Sequence, residues 1–165
     1  VTAMTPIKEL LYRLRGDYTT EKLISMGMTV GKNFKRLHGV ILDPAYCWLI
    51  EIGDNVTMAP RVHILCHDAS TKQFLNYTKI GNVTIGDNVF IGAESVVLPG
   101  VTIGSKVVIG AGSVVTKDIP DGVLAYGNPC RVIRPITEED TAYWNQQLAL
   151  TRQFSDMLQE EETSC

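Results

Sequence analysis

His67 stands in the run ILCHDAS, residues 64–70, and is suited to moving a proton near neutral pH because an unperturbed imidazole titrates there. By itself it reads as readily as a surface histidine at a turn, so its surroundings must decide. Cys66 beside it invites a Cys–His nucleophile. Neighbours on an extended chain point to opposite faces, so that pair is poorly placed and Cys66 reads as a small buried residue. His63 and His67, with the distant His38, are nitrogens of the kind that hold zinc, but such a site would use all 3 histidines of the chain. Asp43, just before Pro44, can orient His67 or simply make a turn, and the turn is the stronger reading. Further along, Gly110-Ala111-Gly112 lets a ligand approach the backbone closely, although these glycines serve equally well at a corner. Arg131 and Arg134 in NPCRVIR offer planar, multi-donor cations of the kind that suit phosphate.

The elements that must position these residues are written in a repeat. Ile85, Ile91, Val97, Ile103, Ile109 and Val115 recur every six residues. Four positions after each sit Val89, Ser95, Val101, Val107, Ser113 and Ile119, all small or β-branched. Neither a helical nor a simple strand period accounts for this. A triangular coil does, with one flat side and one corner per hexad. The stiff β-branched leaders fill its narrow interior, and stacked coils pair as parallel strands. An earlier block led by Ile52, Met58 and Ile64 follows the same rule. It lies 33 residues before its counterpart at Ile85, which is not a multiple of six, so a loop must leave the coil between them. The polar stretch 68–79, directly after His67, is the expected loop and a candidate wall for a substrate site.

Around the coil, Ile7, Leu10, Leu11 and Leu14 give Thr5–Arg15 helical spacing. A second short helix is expected over Thr20–Met26, capped by Thr20 and ended by Gly27. Residues 30–48 read as irregular early coil. Pro135 breaks the pattern, and Thr137 with Asp140 caps a final helix running to about Glu160. The expectation is one domain: a helical segment 1–29, a coil 30–134 and a helix 135–165.

The chain has 165 residues, 45% apolar and 20% charged, with a net charge of −3, which gives no global attraction to nucleic acid. No apolar run is long enough to span a membrane, and the opening residues do not read as a secretory leader. The 4 cysteines form no CxxC pair and read as free thiols of a cytoplasmic protein.

The hexads followed by IGAGSVVTKDIPDGVLAYGNPCRVIRPI resemble the hexapeptide-repeat acyltransferases, in particular the branch of maltose and galactoside O-acetyltransferases. The resemblance covers residues 53–136. It implies a left-handed parallel β-helix, the exception to the right-handed crossover rule. It also implies a homotrimer with sites between subunits, acetyl-CoA as cosubstrate, no metal and direct transfer to a sugar, glycan or similar hydroxyl with His67 as general base. By the same resemblance Ala111, Thr116 and Lys117 line the coenzyme channel beside Gly110, and Arg131 and Arg134 meet its phosphates. Ala93 stands where the branch often has a serine near the thioester, so a backbone N–H is the expected oxyanion donor. Phe90 stands where tryptophan is common, and either walls the pocket or packs on a neighbouring subunit. The branch uses an asparagine in the early coil, and Arg36, His38 and Asp43 are found there instead. The acceptor is therefore expected to differ from a simple galactoside or maltose, with a glycan or nucleotide-sugar hydroxyl favoured. A zinc enzyme of the γ-carbonic-anhydrase kind and a non-catalytic scaffold remain as alternatives.

Overall fold

The computed structural model describes residues 18–142 and 146. The helix expected over Thr5–Arg15 and most of the one expected to run to Glu160 lie outside the described residues. Helix α1 spans Thr20–Ser25, and its cap is Thr19 rather than Thr20. Thr19 is still extended, and its hydroxyl accepts the Lys22 N–H at 3.1 Å. Leu23 is the buried residue of this helix, and Gly27 follows it with a φ of +108°.

The first coil consists of β1 (Thr29–Val30), β2 (Lys35–Arg36) and β3 (Ile41–Leu42). The second consists of β4 (Ile50–Ile52), β5 (Thr57–Met58) and β6 (His63–Ile64). An excursion follows, made of β7 (His67–Asp68), helix α2 (Lys72–Leu75) and β8 (Lys79–Ile80). The third coil is β9 (Val83–Ile85), β10 (Phe90–Ile91) and β11 (Val96–Val97); the fourth is β12 (Thr102–Ile103), β13 (Val108–Ile109) and β14 (Val114–Val115). Then come β15 (Val123–Tyr126) and β16 (Arg131–Pro135). Equivalent strands pair in parallel into three sheets: A is β1-β4-β9-β12, B is β2-β5-β10-β13-β15 and C is β3-β6-β11-β14, and β16 adds to the end of sheet B beside β15. This is the expected left-handed parallel β-helix.

The hexad leaders stack in register inside the coil, as in Leu42–Ile64–Val97–Val115 along sheet C. Ile52, Met58, Ile64, Ile85, Ile91, Ile103 and Ile109 are all essentially inaccessible. Each such side chain contributes about 1.5–3 kcal/mol by leaving water. Ser95 and Ser113 occupy the tight positions just after the corner residues Glu94 and Gly112 in successive coils, and both hydroxyls donate to the Gly110 carbonyl, at 3.1 and 2.6 Å. Their burial therefore leaves no polar group unsatisfied.

The three corners differ. At the A–B corner, Asn33, Asn55 and Asn88 are left-handed, and their side-chain amides bond in a ladder at 2.9 and 3.2 Å. The carboxylates of Asp54 and Asp87 each accept a backbone N–H from the preceding coil, from Lys32 and Asp54. The GDN triplets are thus corner braces. At the B–C corner, Gly39, Arg61, Glu94 and Gly112 are left-handed, and Arg61 pairs with Glu94. Both corners keep the six-residue spacing throughout. The C–A corner does not: the coil runs 22 residues from Val30 to Ile52, 33 from Ile52 to Ile85, 18 from Ile85 to Ile103 and 16 from Ile103 to Ile119.

Two expectations change here. Residues 30–48 begin as a regular coil, with Val30, Arg36 and Leu42 as leaders. A charged residue at an inward position hid the repeat. Arg36 opens its stack, where its guanidinium donates to the carbonyls of Val40 and Tyr18 at 3.1 and 2.7 Å. At the far end Ile119 is itself a leader, bridged to Ile103, because the corner after β14 is two residues short. A separate unit begins at Pro135. Within it Asp140 accepts the Thr137 N–H at 2.9 Å and donates to the Thr137 hydroxyl at 3.3 Å, the expected reciprocal cap, and residues 138–142 are helical.

Candidate active site

His67 lies at the neck of the excursion from the C–A corner. The neck is closed by the Gly81 N–H donating to the Cys66 carbonyl at 3.0 Å, and by the antiparallel pairs His67–Ile80 and Asp68–Lys79. Asp43 reaches the same point from the coil below, because its N–H donates to the Ile64 carbonyl at 3.0 Å and so fixes its height on sheet C. One Asp43 oxygen accepts the Ala45 N–H at 3.1 Å, the turn contact foreseen for it. The other accepts the Cys66 N–H at 2.9 Å and is hydrogen-bonded to His67 Nδ1. Asp43 is only 2% exposed. The preference for a mere turn residue is therefore corrected, since one carboxylate both makes the turn and holds the histidine.

The contact leaves His67 Nε2 as the second ring nitrogen, and the His67 side chain is 36% exposed. A base needs this combination: one nitrogen fixed by an acid, the other open to a substrate. Tyr46 adds a packing surface, its ring centroid 5.1 Å from that of His67 and 5.4 Å from that of Trp48. Sequence reasoning missed both aromatic residues. Their signal was an aromatic pair two positions apart inside the 43–49 insertion.

Cys66 is fully buried, and burial first, then the Asp43 carboxylate, pushes its thiol up to about 12. A thiol that stays protonated is no nucleophile, in keeping with its reading as a buried residue. Burial likewise raises the thiols of Cys47 and Cys130. Among the described residues, no three His, Cys, Asp or Glu side chains gather as metal ligands. His38, His63 and His67 therefore do not form the zinc set considered for them. The excursion is less polar outside than its composition implied: Phe74 is 88% exposed, and Leu75, Tyr77 and Ile80 are also exposed.

The other expected residues lie in three further places. Thr116 and Lys117 follow β14 at the same C–A corner as His67, two coils along the stack, so roughly 10 Å away at the usual strand spacing. Ala93, Gly110 and Ala111 occupy the B–C corner, at the opposite end of sheet C, where the Gly112 N–H donates to the Ala93 carbonyl at 2.8 Å. Gly110 has a packing reason to be glycine: an added Cβ would sit 2.7 Å from Tyr126 Cβ. Phe90 is on the outer face of sheet B and exposed. Arg131 and Arg134 are on β16, exposed, with one Arg131 nitrogen donating to the Cys130 carbonyl at 2.9 Å. One chain alone thus brings Asp43, His67, Thr116 and Lys117 to one corner and leaves Ala93, Gly110 and Ala111 at another.

Known proteins carry the same pattern. The family model described as the hexapeptide repeat of succinyl-transferase matches residues 82–117. Protein CapG of Staphylococcus aureus is 40% identical over 143 residues, which cover 82% of this chain and 82% of CapG. A maltose O-acetyltransferase from Clostridium difficile 630 is similar in structure with a TM-score of 0.61 and 49% identity, over 68% of this chain and 60% of that one. Galactoside acetyltransferase in complex with coenzyme A is similar with a TM-score of 0.57 and 34% identity, over 81% of this chain and 80% of that one. The chain spans 57% to 60% of the length of several other relatives named as acetyltransferases. With its coils, its corner histidine and these matches, the chain belongs to the hexapeptide-repeat acetyltransferase family.

Proposed function

We propose that this chain is an acetyl-CoA-dependent O-acetyltransferase acting on a hydroxyl of a sugar or glycan. The observation that carries the reading is the Asp43–His67 pair at the neck of the excursion. His67 Nε2 takes the proton of the acceptor hydroxyl as its oxygen attacks the thioester carbonyl. Collapse of the tetrahedral intermediate breaks the carbon–sulfur bond, and the proton passes from the imidazolium to the departing thiolate. No acyl-enzyme is formed. Asp43 holds the ring and offsets the charge that develops on it. Galactoside and maltose enzymes among the relatives support a carbohydrate acceptor, and the coenzyme A bound to galactoside acetyltransferase supports the donor.

In this reading the donor lies along the groove that the family forms between subunits. Gly110, Ala111, Thr116 and Lys117 line it, the Ala93 N–H faces the thioester oxygen, Phe90 walls the pocket, and Arg131 and Arg134 meet the phosphates. The two corners belong to one site only if a neighbouring copy supplies one of them, and the family resemblance makes that assembly a homotrimer. The outer faces support this: Ile41, His63, Val96 and Val114 on sheet C and Lys35, Thr57, Phe90, Val108 and Leu124 on sheet B are more apolar than Thr29, Glu51, Thr84 and Thr102 on sheet A. A cytoplasmic location fits the donor and the free buried thiols. Among the described residues no helix is long and apolar enough to cross a membrane.

The test titrates coenzyme A into the wild type, His67→Ala and Arg131→Ala, and follows thiol release from acetyl-CoA with a panel of glycosides. His67→Ala should bind coenzyme A as the wild type does and lose about 10²–10⁴ in turnover. Arg131→Ala should bind about tenfold or more weakly, the loss of one charged hydrogen bond. A wild type that binds no coenzyme A overturns the reading.

A further inference from the structure

The seven-residue turn 43–49 makes its coil four residues longer than the regular 18, and it carries two aromatic side chains to the His67 corner. Its middle is firmly anchored. Cys47 is fully buried, with its sulfur 3.7 Å from the Leu23 carbonyl and 3.9 Å from that of Met26. Gly27 lies so close beneath that an added Cβ would be 2.9 Å from Trp48 Cβ. The backbone of Trp48 is thus held in place while the residue remains 53% exposed. With Tyr46 beside it, the exposed indole is part of a joined aromatic surface next to His67 rather than a single exposed apolar residue. Tyr46 joins it to the base: the rings run Trp48, Tyr46, His67 in steps of 5.4 and 5.1 Å, tilted by 50° and 39°.

We infer that Tyr46 and Trp48 form a two-ring acceptor subsite, in which successive pyranose rings of a glycan lay their C–H faces on the two aromatic rings. This rests on the acetyl-transfer reading and names the acceptor's class: a disaccharide unit or longer rather than a single sugar. The ring over Tyr46 presents its hydroxyl to His67 Nε2, and the ring over Trp48 supplies affinity only. Tyr46 is partly buried against the core and Trp48 is exposed, so the two adjoining rings, tilted by 50°, offer differently angled apolar surfaces beside His67. Sugar rings have apolar faces and polar edges, so stacking orients the ring and leaves its hydroxyls for the base.

Two measurements test this with methyl glucoside, methyl galactoside, maltose, cellobiose and lactose as probes. In a Trp144→Phe background, where Trp48 is the remaining one of 2 tryptophans, a disaccharide should change the fluorescence saturably and the matching methyl glycoside should do so only at about tenfold higher concentration. In turnover, Trp48→Ala should raise the disaccharide KM about tenfold and leave three other values within twofold: kcat, the coenzyme A Kd and the methyl-glycoside KM. Trp48→Phe should restore most of the loss, which a merely structural role for the indole would not allow. Equal effects on disaccharide and methyl glycoside, or none on either, overturn the subsite. So does a wild type that binds coenzyme A yet neither binds nor acetylates any disaccharide, and in that case the transferase reading survives. Loss of coenzyme A binding by the wild type is the separate failure of that parent reading.

Discussion

Replacing Asp43 by Asn keeps the volume and removes the charge, and the geometry dictates how the amide must sit. One oxygen of the carboxylate serves Ala45, and the other serves Cys66 and His67. An amide has one acceptor and one donor group. If its oxygen faces Ala45, its NH₂ opposes the Cys66 N–H and donates to Nδ1, which puts the imidazole proton on Nε2 and removes the base. If its oxygen faces Cys66 and His67, the working tautomer survives and only the Ala45 contact is lost. The second arrangement is the better one and costs about 0.5–1.5 kcal/mol of stability. What neither arrangement restores is the negative charge beside the imidazolium of the transition state. Two charges about 4 Å apart near a protein surface interact by about 4 kcal/mol. His67 is 36% exposed, so water screens part of this. A remainder of about 2 kcal/mol corresponds to roughly a 30-fold fall in kcat. Thiol release under saturating acetyl-CoA measures it, with the acetyl-CoA KM expected to stay within twofold. A kcat within threefold of wild type, alongside the expected small loss of stability, would return Asp43 to the status of a turn residue.

Two further outcomes follow from the packing. Cys66 has a folded pKa raised to about 12, above its unfolded value of about 8.5, so its contribution to stability is complete below pH 8.5 and shrinks as pH rises toward 12. Urea unfolding at pH 7 and pH 10 should differ by about 2 kcal/mol more in the wild type than in Cys66→Ala, and equal differences would show that the thiol ionises without opening the core. Gly110→Ala forces a methyl group to within 2.7 Å of Tyr126 Cβ and should cost about 1–3 kcal/mol, read as a lower thermal midpoint; an unchanged midpoint would mean that the coils can spread at this corner.

The coil was legible because its cause is one-dimensional: a narrow interior admits one aliphatic side chain per side, so the pattern is written directly into Ile85, Ile91, Val97, Ile103, Ile109 and Val115. His67 was legible because the excursion starts beside it. What was not legible depended on stacking. The N-cap was displaced by one residue because two adjacent threonines have the same chemistry, and only the backbone at Thr19 separates them. Arg36 broke the aliphatic pattern at the first coil, and with that coil unrecognised the residues after Leu42 had no known height. Asp43 could then only be read locally, as an acid before Pro44. Once Val30, Arg36 and Leu42 are accepted as leaders, Leu42 falls beside Ile64, and the residue after it must lie beneath the strand that leads to His67. The site is therefore a property of coil lengths. Two corners hold their spacing of six, and every insertion or deletion falls at the third. That corner is where the backbone ladder can be interrupted without breaking the stack, because each excursion closes on itself before the next strand begins. The 43–49 turn and the 68–79 excursion are neighbours in height on it, which is how residues 24 positions apart, Asp43 and His67, come to be hydrogen-bonded.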